Sequence, residues 1–192
     1  MQTAKPITHS DFIFIHINKT GGTSIEKALG LEKDHLTASE KKTAIGKQKW
    51  KKIYSFAFVR NPWDKVVSHY HHRVKMNITD LRNGKVEFKD WVRLTYNDKD
   101  PYYYDNPRMF MPQVKWISDD QGRIIVKQVF RFERLNRDFN YLCEKLKLPN
   151  KKLPHFFQSE RTDYRDYYNS DTADLIRQSF QKDIKKFGYQ FD

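Results

Sequence analysis

Phe12-Ile-Phe-Ile-His-Ile-Asn-Lys-Thr-Gly-Gly-Thr-Ser24 is the stretch that decides how this chain folds. Phe12 to Ile17 is a short, mostly apolar run of the kind that makes a buried strand. The chain then breaks at Asn18-Lys-Thr-Gly-Gly22, and Thr23-Ser-Ile-Glu-Lys-Ala-Leu29 has helical composition. Gly21 and Gly22 let the backbone adopt unusual dihedrals and come close to a ligand. The first N–H groups of the following helix have no intrahelical acceptor, which makes its start an anion site. Lys19, Thr20, Thr23 and Ser24 add one cation and three hydroxyls. The result is a phosphate cradle. It differs from the nucleotide-kinase loop, in which a Lys-Ser/Thr pair follows the glycines; here the Lys precedes them.

A second segment repeats the design. Ile53-Tyr-Ser-Phe-Ala-Phe-Val59 is rich in aromatic and β-branched residues and reads as another strand. It ends at Arg60-Asn-Pro-Trp-Asp64, where Asn61 suits an N-cap and Pro62 the first position of a helix running to about Lys75. Arg60 thus stands at the carboxyl end of a strand, where open α/β sheets bind ligands, and Ser68 lies on the second turn of the helix. An Arg fork and a hydroxyl there can hold a second phosphate.

Elsewhere, Thr37-Ala-Ser-Glu40 has capping-box form and opens a helix that stops near Gly46. Helices are expected over Val86 to Tyr96, Pro107 to Ile117, Glu133 to Leu148 (stopped by Pro149-Asn150) and Asp171 to Phe187, with a third strand over Arg123 to Val129. The last helix should carry Ile176, Phe180, Ile184 and Phe187 on one face and stop at Gly188. Strands alternating with helices predict an α/β fold: a P-loop-like three-layer domain with a small central parallel sheet flanked by helices. No repeat or linker splits the 192 residues, so one domain over 1–192 is expected.

The 36 basic and 24 acidic residues give a net charge of +12, a field that favours anionic ligands. Its densest basic run, Lys41 to Lys52, reads as a solvated helix face. The single cysteine, Cys143, excludes an intrachain disulfide, and its stripe with Leu135, Phe139, Leu142 and Leu146 has the spacing of a core-facing helix side. His69, His71 and His72 lack a companion cluster, so they read as surface or acceptor-cleft residues, with no metal site. No apolar run reaches the ~18 residues a membrane span needs. Met1 to Asp11 lacks the apolar core of a signal peptide.

The pair Ile15-His-Ile-Asn-Lys-Thr-Gly-Gly-Thr-Ser24 and Phe58-Val-Arg-Asn-Pro-Trp-Asp-Lys-Val-Val-Ser-His-Tyr70 resembles the sulfotransferases that use 3′-phosphoadenosine 5′-phosphosulfate (PAPS). The similarity is greatest to the branch of carbohydrate 2-O-sulfotransferases of heparan sulfate and chondroitin and their bacterial relatives. Phe130-Arg-Phe-Glu-Arg-Leu135, Tyr164-Arg-Asp-Tyr-Tyr168 and Asp183-Ile-Lys-Lys-Phe-Gly-Tyr-Gln-Phe191 look similar too, so the resemblance spans nearly the whole chain. It implies that Lys19, Thr20, Gly21, Gly22, Thr23 and Ser24 bind the 5′-phosphosulfate, and that Arg60 and Ser68 bind the 3′-phosphate. Ser159, Arg161 and Thr162 loosely fit the late loop with which relatives cover the nucleotide. Animal members carry an N-terminal anchor; its absence here argues for a cytoplasmic protein of prokaryotic or viral origin.

Sulfuryl transfer is an in-line displacement in which positioning and charge stabilisation do most of the work, and it requires no bridging metal. Lys19 is suited to the departing phosphate of 3′-phosphoadenosine 5′-phosphate (PAP). In the similar branch a His between the two phosphate elements is the base, and His35 is the only His in that interval. His16 ends the first strand, where a structural hydrogen bond is expected, and Glu26 is the alternative base. The acceptor is a hydroxyl compound, an anionic glycan among the candidates, with no nucleic acid or membrane partner. Two rival classes stay open: a nucleotide kinase with an altered loop, which should carry a Lys after the glycines and a strand-end Asp for magnesium, and a basic nucleic-acid-binding module, which should show interleaved basic and aromatic residues.

Overall fold

The computed structural model describes residues 12–83, 86–148, 152–154 and 161–192. The chain divides into two compact units, Met1–Val59 with Lys115–Phe156 and Arg60–Val114 with Phe157–Asp192.

The first unit holds a parallel sheet in the order β1 (Phe12–Ile15), β2 (Tyr54–Val59), β3 (Gln128–Arg131). Helices α1 (Gly22–Leu29), α2 (Ala38–Ile45) and α3 (Lys47–Lys52) lie between β1 and β2 in the chain, the crossover that a parallel neighbour requires. Register pairs Phe14 with Phe56 and Phe58 with Phe130, and alternation puts these rings on one face. They stack at 5.2 Å (Phe14–Phe56) and 5.0 Å (Phe58–Phe130). Ile25 and Leu29 of α1, and Phe139, Leu142 and Cys143 of α8 (Leu135–Lys145), complete that core. The Cys143 stripe therefore faces inward as its spacing predicts. On the opposite face Ile15, Ala57 and Val59 are also buried, so this is an α/β fold whose small sheet is flanked by helices. A face buried on both sides explains why β1 and β2 read as near-continuous apolar runs.

The second unit is helical: α4 (Pro62–Lys75), α5 (Phe88–Val92), α6 (Pro107–Phe110), α9 (Ser170–Ser179) and α10 (Gln181–Phe187). Its core joins Trp63, Trp91, Phe110, Ile176 and Phe180. Two polar atoms within this packing are bonded: Trp63 Nε1 donates to the Ala173 carbonyl at 2.9 Å, and the Tyr168 hydroxyl donates to the Trp63 carbonyl at 2.9 Å. No helix among the described residues is long and apolar enough to cross a membrane.

Helix starts match the sequence reading. Asn61 caps α4 by accepting from Trp63 N, Pro62 is its first residue, and Thr37 with Glu40 closes the capping box of α2. Four interiors differ from it. The helix expected over 107–117 is two, α6 and α7 (Gln113–Ile117), because Pro112 offers no N–H and pushes Met111 to an extended conformation. The helix expected over 171–187 breaks at Phe180, whose fully buried ring is set by the core. The strand expected from Arg123 starts only at Gln128, since Asp119 Oδ1 takes the N–H groups of Gln121 and Arg123 in a tight turn closed by the Ser118–Ile124 bridge. The 86–96 segment is the short α5 followed by a wide turn over Arg93–Asn97. Pro149-Asn150 lies outside the described residues; α8 ends before it, at Lys145.

Candidate active site

In the first unit the loop between β1 and α1 has the geometry its glycines predict. Lys19 and Gly21 take positive φ, 65° and 82°, which turns the chain between β1 and α1. Gly22 is required for a different reason. A Cβ there would sit 2.0 Å from Cδ2 of His16, so the imidazole lies directly on the first residue of α1. No side chain caps α1, whose N-cap is Gly21 itself. Thr20 is fully buried and its hydroxyl donates to the Ile17 carbonyl at 2.8 Å, bracing the loop from within. Thr23 is exposed and Ser24 buried, on adjacent positions of the first turn.

Around that loop stand three titratable groups. His16 Nδ1 meets Glu26 Oε1 at 2.6 Å, and both side chains are buried. His16 therefore makes the structural hydrogen bond expected of it. Glu26, the alternative base, spends its carboxylate on this partner. His35 donates from Nδ1 to the His16 carbonyl at 3.2 Å. A carbonyl can only accept, so Nδ1 carries the proton and Nε2 keeps the lone pair a general base needs. The His35 ring lies 4.5 Å from that of His16 and edge-on to Trp116 at 6.1 Å. Burial, and next the nearby His16, push the His35 pKa below 6.5, against the hydrogen bond to the carbonyl. The imidazole is thus neutral at pH 7.

In the second unit a buried Arg60 and the partly buried Asp64 and Arg161 form one group. Arg60 Nε donates to Asp64 Oδ2 at 2.7 Å and Arg161 Nη2 donates to Asp64 Oδ1. Burial alone would raise the Asp64 pKa, but the two guanidiniums outweigh it and hold the carboxyl below its ordinary value. Among the described residues Arg161 Nη1 is buried without a hydrogen-bond partner, a donor that an anion would satisfy. Asp64, Ser68 and His71, at i, i+4 and i+7, share one side of α4. Ser68 is half-buried on that side.

Gln113 was not foreseen. Its side-chain carbonyl accepts from Arg60 N–H at 2.8 Å and its amide donates to the Arg60 carbonyl at 2.7 Å, so it pairs with both backbone groups of that residue. Asp183 fixes Gln113 in turn, accepting from Gln113 N at 2.7 Å and Val114 N at 2.8 Å. No local pattern marks a contact between residues 53 positions apart. The expectation of a surface or acceptor-cleft role fails for His69, which is 5% exposed and packs against Phe110 (4.9 Å) and Trp91 (5.9 Å). A register one position off the exposed side of α4 sends it inward. Ser159 lies outside the described residues. A shallow cavity of about 250 Å³ lined by Lys42, Lys47, Trp50, Lys51, Ile125 and Lys127 contains none of the expected site residues.

A strand, a glycine turn and a helix start, set on a parallel α/β sheet, make up a P-loop-like α/β fold. The sequence profile of the sulfotransferase family matches residues 7–190, and the chain belongs to that family. It is accordingly a transferase of sulfur-containing groups. Among solved structures it is similar to a sulfotransferase from Alicyclobacillus acidocaldarius, at 13% identity over 96% of this chain and 98% of that one, with a TM-score of 0.47. No curated protein matches it significantly.

Proposed function

We propose that the chain transfers the sulfuryl group of PAPS to an acceptor hydroxyl, with His35 as the base. Lys19 and the backbone N–H groups at the start of α1 receive the 5′-phosphosulfate, while Arg60, Ser68 and Arg161 receive the 3′-phosphate. The acceptor oxygen bonds to sulfur in line as the bond from sulfur to the 5′-phosphate oxygen breaks. The hydroxyl proton passes to Nε2 of His35, and the electron pair leaves with PAP, whose new charge meets Lys19. The observation that carries this reading is the hydrogen bond from His35 Nδ1 to the His16 carbonyl, which leaves Nε2 as the proton acceptor of a neutral ring. A carbohydrate or small-metabolite hydroxyl fits this chemistry, and the net charge of +12 favours an anionic one.

Calorimetric titration with PAP, with ATP plus magnesium and with an oligonucleotide tests the assignment. PAP should bind, and should raise the melting temperature equally with and without EDTA. Binding of ATP or the oligonucleotide in place of PAP would overturn the reading. Loss of the PAP effect in EDTA would overturn its metal-free form.

A further inference from the structure

Burying an imidazole against a carboxylate costs desolvation that their attraction seldom exceeds, and an apolar pair of similar volume would fill a core as well. His16 and Glu26 are nevertheless only 4% and 5% exposed. Their place explains the arrangement better than stability does. The His16 ring stacks on Phe14 on one side (5.8 Å, 18° between planes) and covers Gly22 at the start of α1. The carbonyl of the same residue takes the Nδ1 proton of His35. Glu26, from the second turn of α1, closes the set by gripping His16 Nδ1.

We infer that Glu26 and His16 are positioning residues for His35: Glu26 locks the His16 side chain, whose ring lies 4.5 Å from that of His35, and so steadies the residue whose backbone carbonyl holds His35 in a single tautomer beside the glycine turn. This rests on the reading of His35 as the base. Glu26 then serves the reaction without touching substrate. The charged groups acting on His35 are His16, Lys33 and Glu26; His16 and Lys33 favour its neutral form and Glu26 its protonated one.

Nitrogen NMR of the imidazole rings in the full chain, without ligand, tests this independently of any acceptor. Wild-type His35 should show one neutral tautomer, protonated at Nδ1. Glu26→Ala should release the His16 ring, let the His16 carbonyl shift from His35 Nδ1 and so mix the two His35 tautomers. Glu26→Gln, whose amide oxygen can still accept from His16 Nδ1, should restore the single tautomer. His16→Gln removes one of the neighbours that depress His35 and leaves Glu26, which raises it, so the His35 titration midpoint should move to higher pH. PAP affinity should stay at the wild-type value in Glu26→Gln, which keeps the His16 ring in place on Gly22. Turnover, followed as PAP released from PAPS, should fall about 10- to 100-fold in Glu26→Ala and recover in Glu26→Gln. The two Gln variants conserve volume and decide the matter if Glu26→Ala does not fold. Wild-type His35 spectra in Glu26→Ala, or an unmoved His35 midpoint in His16→Gln, would overturn the inference and leave the base assignment standing. Wild-type turnover in His35→Ala would overturn the base assignment and this inference with it.

Discussion

At the scale of single residues, the site works through groups whose protonation is set by their surroundings. His35 is half-buried beside His16, and both burial and that neighbour lower its pKa below 6.5. The neutral ring is the active form of a base, so turnover should rise with pH through a midpoint below 6.5 and stay flat from pH 7 upward, as a pH–rate profile would reveal. His35→Ala should reduce turnover about 10²- to 10⁴-fold while sparing PAP affinity, because the base meets the acceptor and not the nucleotide. Arg60 offers the complementary case. Its guanidinium is pinned by Asp64 in a site where its side chain is 7% exposed. Arg60→Ala should weaken PAP by about 2–4 kcal/mol through loss of a charge-assisted contact. Adenosine 5′-phosphosulfate, which has no 3′-phosphate, should bind as before; equal losses for both ligands in calorimetry would place Arg60 elsewhere.

At the scale of elements, the loop between β1 and α1 depends on what lies against it. Gly22→Ala would drive a methyl group into the His16 ring, at 2.0 Å from Cδ2. The ring is held by Glu26 and cannot swing away without breaking a buried pair. Stability should fall by about 1–3 kcal/mol, the usual cost of overpacking, and PAP affinity should fall with it, both readable from denaturant unfolding with and without PAP. Gln113 plays the equivalent part for the segment after β2, pairing with both backbone groups of Arg60. Gln113→Ala strands a buried N–H and a buried carbonyl, and should weaken PAP binding although Gln113 touches no ligand in the proposed reading.

At the scale of the molecule, each unit has its own apolar core, and several charged side chains are buried among the described residues. Lys65 is the clearest of them. It is 1% exposed, and burial depresses its pKa to about 8 in spite of the neighbouring Asp183. The folded chain therefore releases this proton near pH 8 whereas the unfolded chain keeps it to about 10.5. Between those values the unfolded state binds more protons, so stability should rise with pH through that window. Unfolding at pH 7.5, 8.5 and 9.5 would show it, and Lys65→Met should flatten the rise. The surplus of basic side chains acts at longer range. PAP association should slow as salt is added, because the field that steers an anion is screened within about 10 Å at 0.1 M.

The local signals in this chain were strong where backbone chemistry alone decides. Gly21 and Gly22, the Asn61-Pro62 start of α4 and the Thr37–Glu40 box impose their conformations within a few residues, and the apolar runs of β1 and β2 announce a sheet buried on both faces. Tertiary packing decided the rest. The buried Phe180 ended a helix that periodicity alone would have continued, and the core took His69, whereas the break at Pro112 is local backbone chemistry that the sequence already carries. The partners that aim the site residues also came from distant segments: Gln113 on Arg60, Arg161 on Asp64, His16 beneath His35. Such contacts depend on which surfaces meet after folding, and a side chain 53 positions away leaves no pattern in the residues it comes to hold.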